Sequence, residues 1–425
     1  MRGNGHETVF TMEATPIKYG PGASEEVGWE VKRLGMGRIM LVTDPGIVQA
    51  GIAPRIQELI ESEGVEVEVW DKSRVEPTAD SLQEAADFAV EGEFDGFVAV
   101  GGGTSIDTAK VSDLISTHPA PIMDYVNAPV GGGKKPPSPL KPLLAVPTTA
   151  GTGAEATTVA ILDIPEQRVK TGISHQYLRP RRGVVDPNLT MSLPPEVTSS
   201  CGLDVVCHAA ESYISKPYNV RPKPESPGDR PPYQGANPVA DIWSAKALEY
   251  GGKYLRRAVE NGEDVEARGA MMLGASLAGI GFGSAGVHIP HACAYPIAGL
   301  NHEWQPPGYP GDHPFVPHGW SVIVTAPAAF RFTYASMPER HRYVAELLSG
   351  EQIEKADEDT LPEILIQLMK DVGAPRGVRE VGYDEDDIDQ LVEGAMKQQR
   401  LLVGAPREVT EADLAHIIRE SMENW

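Results

Sequence analysis

The stretch "GLDVVCHAAES" carries a carboxylate and an imidazole at helical spacing. Asp204 and His208 stand at positions i and i+4, so on a helix both side chains lie on one face. This spacing is common, and an exposed ion pair is its ordinary interpretation. The alternative is half of a metal site, which requires further ligands from elsewhere in the chain.

Two later stretches, "AGVHIPHACAYPIAG" and "VPHGWS", supply such ligands. His288 and His291 belong to the first, and His318 stands in the second at a predicted helix start. The residues alone do not distinguish His288 from His291 as a ligand, and His302 and His313 are further candidates. One carboxylate with three imidazoles suits a divalent transition metal such as iron, zinc or cobalt.

The stretch "VGGGTSIDTAK" places Gly101, Gly102 and Gly103 between a predicted strand and a predicted helix. Glycine lets the backbone approach a pyrophosphate, and a helix N-terminus offers free amides and a positive dipole. A tight strand-to-helix turn is the competing interpretation. Ile106 also stands where the third glycine of a G-x-G-x-x-G fingerprint would fall.

A second junction of this kind, "PTTAGTGAEAT", carries hydroxyls at Thr148, Thr149 and Thr152. Two such loops at strand ends favour a dinucleotide crevice over two coincidental turns. Asp44 ends another strand, where it could accept hydrogen bonds from a ribose or cap the helix that begins at Pro45. An acid at this position disfavours a 2′-phosphate, so NAD is preferred over NADP.

Strands and helices must alternate in the first part of the chain to position these loops. Short apolar runs at 38–44, 65–70, 96–103 and 142–153 predict strands, and 81–92 predicts a helix. This alternation is typical of a parallel sheet covered on both faces. The pattern over 159–174 predicts a hairpin, and "GVVDPNL" closes the domain.

Helical patterns dominate after about residue 190. They span 196–215, 238–259, 264–281, 319–335 and 361–372. We therefore predict a dinucleotide-binding α/β domain over residues 1–190 and a helical metal-binding domain over residues 191–425. Two long loops, 215–238 and 302–319, interrupt the helical domain, and loops of this length are usually functional or disordered.

The composition excludes several classes of protein. The 425 residues carry a net charge of −23, which argues against nucleic acid or an anionic membrane as a partner. The three cysteines form no disulfide framework, and the first residues contain no apolar secretory segment. No apolar run approaches the roughly 20 residues of a membrane span. We therefore expect a cytoplasmic protein.

These motifs, in this order, resemble those of the iron-containing alcohol dehydrogenase superfamily over nearly the full chain. The signposts are "LVTDPG", "VGGGTSIDTAK", "PTTAGTGAEAT", "GLDVVCHAAES" and the "PHG" at 317–319. The resemblance implies a Rossmann-like N-terminal domain and an all-α C-terminal domain, the dehydroquinate synthase-like fold of iron-type alcohol dehydrogenases. It also implies a homo-oligomer.

The resemblance assigns site residues by position. The metal ligands would be Asp204, His208, His291 and His318, holding Fe²⁺, with Zn²⁺ or another divalent metal as the alternative. The residues implied to bind NAD are Asp44, Gly101, Gly102, Gly103, Ser105, Asp107, Thr148, Thr149, Thr152 and Lys170. A solvated hairpin lysine is the competing interpretation of Lys170. Cys207 and Cys293 stand beside proposed ligands and are interpreted as buried spectators.

Within the superfamily, the chain is most similar to the hydroxyacid-oxoacid transhydrogenase branch. Segments that carry this likeness include "VEPTADS", "RPPYQGANPVADIW" and "DHPFVPHG". Tyr295 replaces a histidine that other members often place four residues after the ligand at His291. It would either donate a hydrogen bond to the substrate or fill space.

The branch implies that a hydride passes from 4-hydroxybutyrate through bound NAD to 2-oxoglutarate. A metal can lower the pKa of an alcohol substrate, and both substrates carry carboxylates that require a cationic anchor. Arg230, Gln234 and Asn237 are the candidates for this anchor. The competing hypotheses are an NAD-dependent alcohol dehydrogenase or aldehyde reductase that releases its cofactor, and a non-catalytic nucleotide-binding protein of the same fold.

Overall fold

The computed structural model describes residues 5–167, 169–301, 303–309 and 314–425. The chain divides into two compact units. One consists of Ala14–Leu193, and the other joins Met1–Glu13 to Pro194–Trp425. The boundary near residue 190 and the assignment of residues 1–13 to the first domain remain predictions. In the structure, residues 5–13 pack with the helical unit, where Glu7 pairs with Arg230.

The unit Ala14–Leu193 contains a six-stranded parallel sheet of order β1-β8-β5-β4-β2-β3 and a separate antiparallel hairpin of β6 and β7. Its strands are β1 (Ile17–Tyr19), β2 (Arg38–Val42), β3 (Glu66–Trp70), β4 (Gly96–Gly101), β5 (Leu143–Pro147), β6 (Val159–Ile164), β7 (Val169–Ser174) and β8 (Arg182–Val185). Its α-helices are α1 (Val27–Arg33), α2 (Pro45–Gln49), α3 (Ile52–Ser62), α4 (Ala79–Glu91), α5 (Gly103–Thr117) and α6 (Ile122–Tyr125).

Both faces of this sheet are buried, as a parallel sheet requires. On β2, Ile39 and Leu41 join the apolar cluster that contains residues of α1 and α3. Met40 and Val42, pointing the opposite way, join the cluster formed with α4 and α5. Because side chains alternate along a strand, β2 contributes to both apolar clusters. The parallel pairing of β4 with β5 places their carboxyl ends side by side.

The regular secondary structure of the second unit is helical in the described residues, apart from isolated bridges. Its helices are α7 (Pro195–Ile214), α8 (Pro238–Glu260), α9 (Val265–Ala285), α10 (Ile289–Gly299), α11 (His318–Ile323), α12 (Ala326–Thr333), α13 (Pro338–Ser349), α14 (Thr360–Asp371), α15 (Ile388–Met396), α16 (Gln399–Leu402) and α17 (Glu411–Glu420). The predicted fold class, an α/β nucleotide-type domain followed by an all-α domain, is confirmed.

One predicted helix is wrong in detail. The pattern over 319–335 predicts a single helix, but the structure contains α11 and α12 with a break at Val324 and Thr325. Pro327 lies in the first turn of α12, where its missing N–H costs nothing, whereas within one continuous helix it would remove a hydrogen bond.

No single helix in the described residues combines the length and apolar composition that a membrane span requires. The helices α9 and α10 meet that requirement only as a pair, and they are bent by 107° at their junction.

Candidate metal centre and cofactor loops

Helix α7 positions the first two candidate ligands. Pro195 opens the helix, and nearly every later residue is buried, so its apolar surface is packed on all sides. Asp204 and His208 lie on one face of α7, with His208 Nδ1 3.4 Å from Asp204 Oδ1. The ring of Phe282 stacks on His208 at 4.1 Å between centroids and an interplanar angle of 7°, which fixes the imidazole plane.

Helix α10 positions the third candidate through a buried carboxylate that the sequence analysis missed. Glu211 accepts hydrogen bonds from the backbone N–H groups of His288 and His291, at 2.8 and 3.3 Å. It also forms a short hydrogen bond with His291 Nδ1. The opposite ring atom, His291 Nε2, lies 3.5 Å from Asp204 Oδ1. Glu211 therefore sets both the start of α10 and the orientation of the His291 ring.

The fourth candidate, His318, begins α11, and its Nε2 atom lies 3.7 Å from Asp204 Oδ1. The next residue must be small because α11 meets α7 closely. A Cβ atom added to Gly319 would lie 1.8 Å from the carbonyl oxygen of Ser200 and 3.0 Å from Asp204 Cβ. In the "PHG" sequence, glycine follows His318 because no larger residue fits between α11 and α7.

The four side chains converge on one point. Their donor atoms, from Asp204, His208, His291 and His318, all lie within 4.8 Å of one another. Ligands about 2.1 Å from a shared metal ion lie about 3.4 Å apart in a tetrahedron, close to the separations from Asp204. Three of the buried atoms have no hydrogen-bond partner in the described structure: Asp204 Oδ1, His208 Nδ1 and His291 Nε2. Buried ligand atoms that have no hydrogen-bond partner and point at one another are suited to bind a divalent cation.

The charges of the site support this interpretation. Burial alone would raise the pKa of Asp204, but His208, His318 and His291 lower it below its usual range. Burial lowers the pKa of His208 to about 3, which keeps this ring neutral and able to bind a metal. For His291, burial is outweighed by Glu211 and Asp204, which raise its pKa to about 9. A metal ion would therefore compete with a proton for His291.

His288 lies outside this group of ligands. Its Nδ1 atom accepts a hydrogen bond from the backbone N–H of Ile289 at 2.8 Å, so it caps α10. Its ring contacts Phe330 edge-on at 6.0 Å. His302 and His313 lie outside the described residues. Cys207 and Cys293 are free, buried thiols that are not members of the metal-ligand group.

The predicted cofactor loops lie together at the carboxyl edge of the sheet. The backbone N–H of Thr148 donates to Gly101 O at 3.0 Å. A Cβ atom on Gly103 would lie 2.9 Å from Thr152 Oγ1, and one on Gly102 would lie 3.5 Å from Thr149 Oγ1. Gly101 adopts φ +154°, which L side chains rarely adopt. The hydroxyl of Thr148 is buried without a partner in the described structure, which suits a hydrogen bond to a bound ligand.

The polar residues around these loops have divided roles. Asp44 caps α2 by accepting from Ile47 N at 3.1 Å, and it also receives a long hydrogen bond from Ser105 Oγ at 3.4 Å. Burial raises the pKa of Asp44. Both interpretations offered for this residue are thus compatible with its position. It is a helix cap whose second oxygen faces the glycine loop.

Asp107 and Lys170 make contacts within their own unit. Asp107 accepts from the backbone N–H of Ile161 at 2.9 Å and lies 3.4 Å from Lys110 Nζ, so it ties α5 to the hairpin. Lys170 is buried rather than solvated, and it pairs with Glu76. Burial lowers the pKa of Lys170 to about 7. Their assignment to the cofactor remains a prediction.

The candidate anchors in loop 215–238 form contacts with other residues of the helical unit. Arg230 pairs with Glu7 at 2.8 Å. Gln234 Oε1 accepts from Thr11 N at 2.9 Å. Asn237 caps α8 by accepting from the N–H groups of Val239 and Ala240. These contacts hold the loop and the N-terminal segment in place, so the groups named here are already engaged within the helical unit.

Tyr295 is buried on α10, four residues after His291. Its hydroxyl accepts a hydrogen bond from Arg400 Nη2 at 2.5 Å. No motif marks Arg400 in the sequence, where it stands within "KQQRLLVG". Glu211 did leave a signal, because it follows His208 by three residues on the same face of α7.

The chain matches two models of one protein family. Residues 14–187 match the family described as iron-containing alcohol dehydrogenase, and residues 233–422 match the C-terminal domain of the same family. The chain therefore belongs to the iron-containing alcohol dehydrogenase family and is an oxidoreductase that acts on CH–OH groups.

Named relatives refine this identification. The chain is 44% identical over 420 residues to the mitochondrial hydroxyacid-oxoacid transhydrogenase of Bos taurus, covering 98% of this chain and 90% of that one. The Homo sapiens protein of the same name is 43% identical with the same coverage. The resemblance to the transhydrogenase branch is thus confirmed.

Solved structures agree with the fold. A 1,3-propanediol oxidoreductase superimposes with a TM-score of 0.84 at 28% identity, covering 97% of this chain and 100% of that one. A sulfoacetaldehyde reductase from Bifidobacterium kashiwanohense in complex with NAD⁺ gives a TM-score of 0.80 at 26% identity, covering 98% of this chain and 99% of that one.

The cytoplasmic prediction is contradicted by these comparisons, because the curated relatives are named as mitochondrial proteins. The cysteine count on which the prediction depended argues only against an oxidising compartment, and it does not separate one reducing compartment from another.

Proposed function

We propose that this protein is a hydroxyacid-oxoacid transhydrogenase. It would move a hydride from a hydroxy acid such as 4-hydroxybutyrate, through bound NAD, to a 2-oxo acid such as 2-oxoglutarate. The products would be succinate semialdehyde and 2-hydroxyglutarate, so one alcohol is oxidised and one ketone is reduced. The observation that carries the proposal is 44% identity to a named transhydrogenase across 98% of the chain, with four converging donor atoms retained.

The metal-ligand group supports the chemistry of the first step. A divalent ion held by Asp204, His208, His291 and His318 would supply Lewis acidity toward the substrate oxygen. The carboxylate of Glu211 holds His291 with Nε2 aimed at Asp204, and Phe282 holds the plane of His208. These two contacts would hold the ligands in the orientation that a bound metal ion needs. Fe²⁺ is the proposed ion, with Zn²⁺ or another divalent ion as the alternative.

The glycine and threonine loops support nucleotide binding by the unit Ala14–Leu193. Gly101, Gly102 and Gly103 would let the pyrophosphate approach the N-terminus of α5, whose free N–H groups bind anions. The unpaired hydroxyl of Thr148 would donate to the cofactor. The carboxylate of Asp44 would accept from the ribose and repel a 2′-phosphate, so NAD is the proposed nucleotide. A homo-oligomer also remains a prediction.

The experiment is a mixed assay on metal-reconstituted protein. It contains 4-hydroxybutyrate and 2-oxoglutarate, with no added nicotinamide, and follows 2-hydroxyglutarate. Turnover well beyond one equivalent per protein chain is expected. The opposing result is turnover only after NAD is added, with NADH released, which would identify an ordinary alcohol dehydrogenase.

A further inference from the structure

The guanidinium of Arg400 has no carboxylate partner among the described residues. Arg400 stands on α16 and is half-buried. Its contacts are phenolic: it donates to the hydroxyl of Tyr295, and it lies 5.6 and 5.9 Å from the ring centroids of Tyr295 and Tyr233. A guanidinium has five N–H donors, so most of them remain available to a ligand.

This cation lies close to the metal-ligand group. Tyr295, its hydrogen-bond partner, follows His291 by four residues, which is about 6 Å along α10 on the same face. Tyr233 packs against Gly286, just before α10, where an added Cβ atom would lie 2.9 Å from Tyr233 Cβ. The two phenols and Arg400 thus form one polar cluster beside the third metal ligand.

Two other partly buried arginines of the helical unit are paired with carboxylates. Arg230, the sequence-predicted anchor, pairs with Glu7, and Arg340 pairs with Asp241 at 2.5 Å. Partial burial of a cation without a counter-ion costs free energy, and the carboxylate of a ligand would reduce that cost. Arginine also binds carboxylates through two parallel N–H···O bonds, which fixes the orientation of the bound group.

We infer that Arg400 is the anchor for the substrate carboxylate, with the hydroxyls of Tyr295 and Tyr233 completing the site. The inference rests on the proposed function, because it assigns the carboxylate-bearing end of the same substrates. Arg400 would hold that end while the hydroxyl-bearing carbon lies toward His291. It would hold one carboxylate of the 2-oxo acid in the same way.

The test compares a charged substrate with an uncharged one. Wild type, Arg400→Gln and Arg400→Lys are saturated with NAD, and the first-turnover reduction of bound NAD is followed by absorbance with 4-hydroxybutyrate or 1-butanol, so the assay does not require release of NADH. KM is the alcohol concentration that gives half the maximal rate. For Arg400→Gln we expect KM for 4-hydroxybutyrate to rise about 100-fold, while kcat/KM for 1-butanol stays within about 3-fold. For Arg400→Lys we expect a KM for 4-hydroxybutyrate between those of wild type and Arg400→Gln. Arg407→Gln, an exposed arginine on the following loop, is the matched control and should change neither substrate.

Inhibition by succinate provides a second measurement that needs no turnover of 1-butanol. In Arg400→Gln, the inhibition constant of succinate should rise by about the same factor as KM for 4-hydroxybutyrate. Equal losses for both alcohols would show that Arg400 is only structural, and an unchanged KM and inhibition constant would place the anchor elsewhere. Either result overturns the inference. Because this assay supplies NAD, a wild type that fails to transhydrogenate without nicotinamide would refute the proposed function without deciding the role of Arg400.

Discussion

Glu211 and His291 form the hydrogen bond on which the geometry of the metal-ligand group depends. The Nδ1 atom of His291 is held by the buried carboxylate of Glu211, and its Nε2 atom lies 3.5 Å from Asp204 Oδ1. The carboxylate selects both the orientation and the tautomer of the ring that would bind a metal.

Replacing Glu211 with glutamine should weaken metal binding. The amide keeps an acceptor for the backbone of α10 but loses the charge that orients His291. Loss of a residue that hydrogen-bonds to a metal ligand usually lowers metal affinity by roughly 10- to 100-fold. Competition with a chelator measures the affinity. Glu249→Gln, which removes an exposed partner of Lys246 on α8, is the control and should have no effect. Unchanged affinity in Glu211→Gln would contradict this role.

Two histidine variants separate the ligand from its neighbour. His291→Ala removes a ring aimed at Asp204, so metal content and activity should both be lost. His288→Ala removes a helix cap and an aromatic contact, so metal content should stay near that of wild type. Elemental analysis of the purified proteins decides between them. The reverse pattern would mean that His288 is the ligand.

Asp44→Asn should relax the preference for NAD. The asparagine side chain keeps an oxygen that can accept from Ile47 N and cap α2, but it no longer repels a 2′-phosphate. We expect the ratio of the dissociation constants for NADPH and NADH to fall about tenfold, measured by fluorescence titration. If the variant bound NADPH and NADH more weakly by the same factor, Asp44 would act only as the helix cap.

Asp113 predicts a pH-dependent stability. It is buried on α5, its Oδ1 atom accepts from Thr117 Oγ1 and Lys141 N, and burial raises its pKa to about 7. Because the folded pKa exceeds the unfolded one, the native state binds the extra proton between about pH 4 and pH 7. The contribution of Asp113 to the free energy of unfolding therefore falls as the pH rises through that window.

Asp113→Asn keeps the acceptor and removes the charge. It should raise the free energy of unfolding at pH 8 by up to about 4 kcal/mol, and the gain should disappear near pH 4. Thermal unfolding at both pH values tests this, with the exposed Asp71→Asn as a control. A variant that is no more stable at pH 8 would show that Asp113 ionises without cost in the folded protein.

The sequence predicts those parts of the site that depend on local spacing. Asp204 and His208 share a face because a helix repeats every 3.6 residues, and the glycine loop lies at a strand end because apolar runs mark the strands. The contact of Arg400 with Tyr295 joins residues 105 positions apart. Helix α16 is only four residues long, so no periodicity in the sequence indicates where its arginine will lie.

The candidate anchors show the same limit. Arg230 and Gln234 are candidates because their loop is typical of the transhydrogenase branch, but in the structure Arg230 pairs with Glu7 and Gln234 accepts from Thr11 N. Both partners come from the N-terminal segment, more than 200 residues away in the chain. Which of two arginines is neutralised depends on such tertiary contacts, and a composition pattern does not contain them.

Isotope transfer tests the proposed reaction most directly. Metal-reconstituted protein is given 4-hydroxybutyrate with deuterium on the hydroxyl-bearing carbon, together with 2-oxoglutarate, and excess unlabelled NADH is present in solution. Deuterium at carbon 2 of nearly every 2-hydroxyglutarate molecule is the predicted result, because the hydride passes through cofactor that stays bound. Unlabelled 2-hydroxyglutarate would contradict transhydrogenation, since the hydride would then come from exchangeable NADH.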